Sequence, residues 1–439
     1  MKDSRDGPRA IWWLRHLFAV TLALVTVALV CQQALAIEIR EAPTSLLSHR
    51  EHEIRVHLRS SRALEYSISG TSLRFPGSIG LSMAGYRALK IQMLRKNRRL
   101  ADWKISDRDS GEVLAHIQSH SFSVSGENLR LNLQPIPGRL TLWPSEISPD
   151  VLVLAAVDLE TYVRGVLPSE MPSGWPLEAL KAQAVAIRSF ALFRQQERER
   201  VHAPYDVESS IADQVFTVPV MNGVDQNLAQ VERAVRETRG LLLVTRSESP
   251  AVLPSYYHAD CGGKTEDAHT LWGQKGAGTA VDTGCPLNPQ AHWKAELSSR
   301  DIAFAVKERL TTRPEVASHA ESLELVDLQA IGKTSSGRVA QIRLKWSGGE
   351  YDDVASHDFR MALGSEVLRS TNFKLKRSKV AGYLFTGVGY GHGVGMCQWG
   401  ARSLAQGGRL YREILKHYYP DSALIQAGES QVAQVAGSD

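Results

Sequence analysis

The sequence predicts an α+β fold of mixed antiparallel strands and helices, with a β-rich N-terminal region. Three observations carry this. Polar and apolar residues alternate in runs such as Glu53–Leu58 and Asn128–Leu133, which is the period of a half-buried strand. Beyond residue 149, stretches of helical period mix with short apolar runs, without the regular strand–helix rhythm of a parallel sheet. The composition, 43% hydrophobic and 22% charged over 439 residues, is that of a globular chain with two or three domains.

The N-terminus reads as an export signal over residues 1–36. Lys2, Arg5, Arg9 and Arg15 form a basic start, Leu17–Val30 is apolar and uncharged, and Ala34-Leu35-Ala36 offers a cleavage site. An uncleaved anchor is the competing reading. A lipoprotein fits less well, because Val30 precedes Cys31 where a small residue is normally needed. The expected location is therefore exported, periplasmic or cell-wall associated, with membrane contact only through this segment. Removing four basic and two acidic side chains (Asp3, Asp6) lowers the formal charge from +4 to +2. That gives no argument for nucleic acid as partner.

Residues 37–148 form the β-rich region, whose second alternating run is punctuated by Pro135, Pro137 and Gly138. Residues 149–425 form the core. Val151–Val157 reads as a buried strand, Asp158–Val163 as one helical turn, and Leu167–Ser173 as a loop with two prolines. A long helix is expected from Pro176 to about Glu199, with Pro176 at its first position and a stripe of Leu177, Leu180, Ala184, Ile187 and Ala191. A helix over 225–238 ends at Gly240, with strands at Leu241–Thr245 and Val252–His258. Ile302–Leu310 reads as helix, Val326–Gly349 as a hairpin turning near Gly337, and Tyr411–Tyr418 as a last helix stopped by Pro420. Residues 426–439 are expected to be a flexible tail.

Three segments can carry chemistry. In Leu167-Pro168-Ser169-Glu170-Met171-Pro172-Ser173-Gly174-Trp175-Pro176, a carboxyl sits between prolines that stiffen the chain, with Trp175 as an apolar wall and a face for a sugar ring. Against such a wall its pKa rises, as a general acid near neutral pH requires. A helix cap or an arginine partner is the bland alternative. Glu178, in the first turn of the long helix, is explained by the macrodipole.

The second segment, Tyr256–Asp267, runs a strand into a glycine turn, followed by Leu271-Trp272-Gly273. Without the first 36 residues, three cysteines remain: Cys261, Cys285 and Cys397. An oxidising compartment favours a disulfide between Cys261 and Cys285, which would stabilise by about 3 kcal/mol, with Cys397 left over. A Cys261 thiol nucleophile is a rival reading. A metal site from His258, Cys261, Cys285 and His292 fits no standard zinc spacing. The third segment, Gly387–Ala401, is Gly-rich around His392, which can orient a substrate or carry a proton. A tightly packed structural turn explains it as well. It lacks the Gly-Lys-Ser/Thr ending of a phosphate loop.

Together these segments resemble the SpoIID/LytB family of cell-wall proteins. The resemblance is carried by Val157–Val166, Ser169-Glu170-Met171-Pro172, Trp175–Ala186, Cys261-Gly262-Gly263-Lys264-Thr265-Glu266, Phe359–Gly364, the His392 segment and His417-Tyr418-Tyr419-Pro420. It implies a lytic transglycosylase that cuts between N-acetylmuramic acid and N-acetylglucosamine, preferably in glycan strands stripped of stem peptides, and closes a 1,6-anhydro ring. The family's catalytic glutamate maps onto Glu170. Trp175, Gln214, Tyr257, Lys264, Glu266, His392 and Gln398 are the substrate-binding candidates. Some relatives hold zinc just before a Gln-Val-Tyr segment. Here that stretch, Asp206–Phe216, has no cysteine, so no zinc is expected there and no cofactor overall. The other family name implies a different class: a non-enzymatic, wall-binding enhancer of an amidase, with that amidase as partner.

Overall fold

The computed structural model describes residues 39–41, 53–76, 82–96, 100–210, 213–218, 226–273, 279–282, 288–310, 313–378 and 382–427. The expected signal segment lies outside them. Among the described residues, no helix is long and apolar enough to cross a membrane.

The architecture is α+β. The N-terminal region folds into a large sheet whose strands run, in spatial order, Val207–Glu208, Glu53–Ser61, Val151–Asp158, Arg139–Pro144, Phe122–Leu131, Glu65–Arg74, Ser82–Lys96, Ala101–Asp107 and Val113–Ser119. Almost all neighbours are antiparallel. Alternation does the sorting: in Arg139–Pro144, Leu140 and Leu142 point inward while their neighbours stay half-exposed. Asn128 and Asn132 adopt positive φ, so the pattern at 128–133 marks a twisted strand end rather than a regular run.

Val151–Asp158 links this sheet to the helices. It feeds directly into a helix over Leu159–Glu170, capped by Asp158, whose side chain accepts from the Thr161 N–H at 3.0 Å. The expected single turn and proline loop are thus one helix of 12 residues with Pro168 inside it. Pro168 has no N–H to give the Arg164 carbonyl, and it falls in the last turn, two residues before the helix end. The Gly165 carbonyl accepts from Ser169 Oγ and from the Thr217 N–H, each at 3.2 Å.

The long helix runs Leu177–Arg200, with Pro176 as its N-cap rather than its first residue. From Ala179 to Leu192 it is buried on nearly every side, not along one stripe. Its many alanines let surrounding elements approach closely. Arg188, inside this helix, makes a bidentate pair with Glu160 at 2.8 Å for both bonds, and also reaches the Leu241 carbonyl at 3.2 Å. The first helix, the long helix and the Leu241–Thr245 strand are thereby fixed together. That strand pairs with Ser422–Gln426, so residue 426, expected to begin the tail, ends a strand instead. Residues 428–439 lie outside the described ones.

The other helices that the sequence predicts fall close to expectation, at Gln226–Glu237, Ser299–Arg309 and Tyr411–Tyr418, whereas those at Pro314–Ser322, Ser356–Leu363 and Gln398–Gln406 were not foreseen. The hairpin forms as Leu325–Lys333 and Val339–Trp346, joined by a third strand, Tyr351–Ala355. Val252–His258 is not a continuous strand. Val252 makes a single bridge, Pro254 has no N–H for a ladder, and only Tyr257–His258 pairs, in parallel with Met396–Cys397. A second apolar core, separate from the main one, gathers Trp293, Ile302, Ile342, Trp346, Phe359, Phe385 and their neighbours. Residues 292–388 therefore form a lobe within the region 149–425.

Candidate active site

Glu170 is the last residue of its helix, where the chain turns extended at Met171. Its carboxylate Oε1 accepts the Val215 N–H at 2.9 Å. The segment that brings Val215 there is well supported. Ser209 Oγ accepts from the Phe216 N–H and donates to its carbonyl, and Asp213 accepts the Glu208 N–H and pairs with Arg194. Phe216 stacks on Tyr162 with ring centroids 5.5 Å apart. Gly165 is required beneath this stack, because a Cβ there would collide with the Phe216 ring and the Thr217 carbonyl.

Burial raises the pKa of Glu170, and the Val215 hydrogen bond opposes this only in part. The helix C-terminus acts in the same direction, since it disfavours negative charge. Beside the carboxyl runs a short relay. Tyr162 Oη donates to Gln214 Oε1 at 2.8 Å, and Gln214 Nε2 donates to Tyr257 Oη at 3.0 Å. Both phenols are held well above their ordinary pKa by burial, with the charge of Glu170 a further cause for each. Tyr257 accepts from Gln214 and stays protonated, so it is a donor beside the carboxyl. Glu170, Gln214 and Tyr257 are thus brought together. Tyr162 and the Val215 amide were not foreseen.

The other candidates are placed differently. Trp175 meets Trp399 edge to face at 5.1 Å, and Arg402 lies over both rings. Gln398 is buried and faces Gln183, with 3.5 Å between side chains. Lys264 donates to the Ser335 carbonyl at 2.7 Å. Glu266 is wholly buried; it accepts from Ser336 Oγ at 2.7 Å and from the Asp267 N–H at 3.0 Å. Arg338, unnoticed in the sequence, completes this strut by donating to the carbonyls of Cys261 and Lys264. It packs on Gly393, where any side chain would displace the guanidinium.

His392 lies among Tyr256, His258 and Trp272, with ring centroids 5.2–6.2 Å away. Its Nδ1 accepts the Val394 N–H at 3.0 Å. Burial, and then the neighbouring His258, push its pKa well below the usual value, so the ring is neutral. Glu178 pairs with Lys181 and accepts the Tyr411 N–H at 2.8 Å, a structural role. Cys285 lies outside the described residues, and no disulfide joins two described ones; beside Cys261 stands Cys397. A cavity of about 430 Å³ next to the Glu170 helix is lined by Arg130, Pro137, Thr161, Arg164 and Val218, and holds none of the candidates.

The family model described as stage II sporulation protein matches residues 148–244, and a model for a domain of unknown function matches 285–395, the second lobe. An uncharacterised protein of Brachyspira hyodysenteriae is 34% identical over 61% of this chain and 67% of its own length. A stage II sporulation protein D of Bacillus amyloliquefaciens is 30% identical over 62% of this chain and 75% of its own. The amidase enhancer of Bacillus subtilis is 26% identical over 60% of this chain, and the match spans 40% of that longer protein.

Proposed function

The chain belongs to the SpoIID/LytB family, and we propose that it is a lytic transglycosylase of peptidoglycan glycan strands with Glu170 as its acid–base residue. The observation that carries this reading is the raised pKa of Glu170 beside the protonated Tyr257. Protonated Glu170 gives its proton to the glycosidic oxygen as the bond to muramic C1 breaks. The muramic C6 hydroxyl then bonds to C1, and the Glu170 carboxylate takes the hydroxyl proton. One carboxyl suffices, because no water has to be activated by a second. Tyr257, oriented through Gln214 and Tyr162, donates to the sugar. His392, neutral and enclosed, supports the loop rather than moving a proton. The reading extends to a wall-associated location.

Denuded glycan strands incubated with the protein are expected to yield anhydro-muramic products by mass spectrometry, and Glu170→Gln is expected to yield none. The similarity to an amidase enhancer favours a second reading, a wall-binding partner of an amidase. Under it, wild type and Glu170→Gln release no sugar product, yet both accelerate the amidase equally.

A further inference from the structure

We infer that His258, Cys261 and Cys397 form a zinc site that ties the Cys-Gly-Gly turn to the Gly-rich segment beneath Tyr257. Their ligand atoms all lie within 4.8 Å of one another and all three residues are buried. Zinc bonds of about 2.3 Å to sulfur and about 2.0 Å to nitrogen set donors roughly 3.5–3.8 Å apart in a tetrahedron. A small side-chain adjustment therefore closes the site.

The backbone fixes the arrangement. Tyr257–His258 and Met396–Cys397 pair in parallel with His258 opposite Cys397. Cys261 then enters from the turn, its N–H donating to Cys397 Sγ at 3.3 Å. Two further backbone N–H groups point at the sulfurs: Gly263 at Cys261 Sγ, 3.4 Å, and Gly400 at Cys397 Sγ, 3.3 Å. The second lies at the start of the Gln398–Gln406 helix, where a negative charge is favoured. Each sulfur also reaches an oxygen acceptor, Cys261 Sγ to Asp282 Oδ2 at 3.7 Å and Cys397 Sγ to the Ala259 carbonyl at 3.8 Å, so zinc binding would release two thiol protons and leave thiolates that the three amides support.

His258 is prepared as the third donor. Its Nδ1 lies 3.0 Å from the Val394 carbonyl oxygen, which can only accept, so Nδ1 carries the proton and the lone pair is on Nε2. Imidazole oriented by a carbonyl through its other nitrogen is the usual outer support of a metal-bound histidine. Thiolate and imidazole together select zinc among the common divalent ions. This set shares His258 and Cys261 with the one weighed from spacing alone. Cys397 enters through the parallel pairing, whereas His292 is exposed on a strand paired with Val388. The inference does not depend on the transglycosylase reading, because its test reads metal rather than activity.

The full chain, purified without chelator, is expected to hold about one zinc. Alkylation mapped by peptide should spare Cys261 and Cys397 until a chelator is added. Cobalt exchanged into wild type should give a sulfur-to-metal charge-transfer band, weakened in Cys397→Ser and Cys261→Ser. If those variants misfold, the wild-type cobalt spectrum and the alkylation map decide. A Cys261–Cys397 disulfide, or metal-free folded protein with both thiols reactive before chelation, overturns the site.

Discussion

Two motif-rich segments meet at Tyr257, and they spend their polar groups in opposite ways. On the Glu170 side, a carboxyl at a helix end keeps one oxygen on a backbone amide and stands beside a phenol that can still donate. On the Cys-Gly-Gly and His392 side, Glu266, Lys264, Arg338 and His392 are occupied by the chain itself. Both segments look equally catalytic as strings of residues. The difference teaches that polar density marks a site only where some capacity to donate or accept is left over.

The largest expected effect is on turnover. Glu170→Gln removes the transferable proton and should lower the rate by about 10²–10⁴. The same change in Glu266 should instead act on stability. An amide there loses charge-assisted bonds to Ser336 and Asp267, at a cost of about 1–3 kcal/mol in urea unfolding. If Glu266→Gln proved inactive but fully stable, the contrast between the two segments would be broken.

Gly165→Ala comes next. Its methyl group collides with the Phe216 ring and the Thr217 carbonyl, so the segment carrying Val215 must shift. The expected cost is about 1–3 kcal/mol, with lower turnover as the carboxyl loses its support. Tyr162→Phe leaves Gln214 Oε1 without its donor, and about 1–3 kcal/mol of stability should go with it.

Smaller effects separate the two segments by pH. The raised pKa of Glu170 means that ionising it weakens the folded state as pH rises from the ordinary carboxylate value. Glu170→Gln should therefore match or exceed wild type in Tm at neutral pH, with the gap closing in acid. His392 has the opposite sign. Its depressed pKa lets the unfolded chain bind a proton that the folded chain refuses, so stability falls as pH drops below the usual histidine value. His392→Gln should flatten that decline and leave the pH profile of turnover unchanged.

Much of the fold could be read from the sequence. Alternation located the N-terminal sheet, and helical period with Pro420 located Tyr411–Tyr418. Local signals misled where distant partners decide. The prolines around Glu170 read as a loop, yet the helix runs through Pro168 to Glu170, and Thr217, far along the chain, ties to it at the Gly165 carbonyl. Glu266 is a substrate-binding candidate through the family resemblance alone, and nothing near it in sequence announces its partner Ser336, 70 residues on. Glu170 was singled out by type and position. Its raised pKa was expected too, but the Val215 amide that partners it was not, because the two meet only through the fold.

The central claim is that Glu170 makes an anhydro ring without help from water. Digestion of denuded glycan in ¹⁸O-labelled water tests it most directly. Wild type should release anhydro-muramic ends free of the label, and Glu170→Gln should release none. Labelled reducing ends, or equal product from both proteins, would contradict the account.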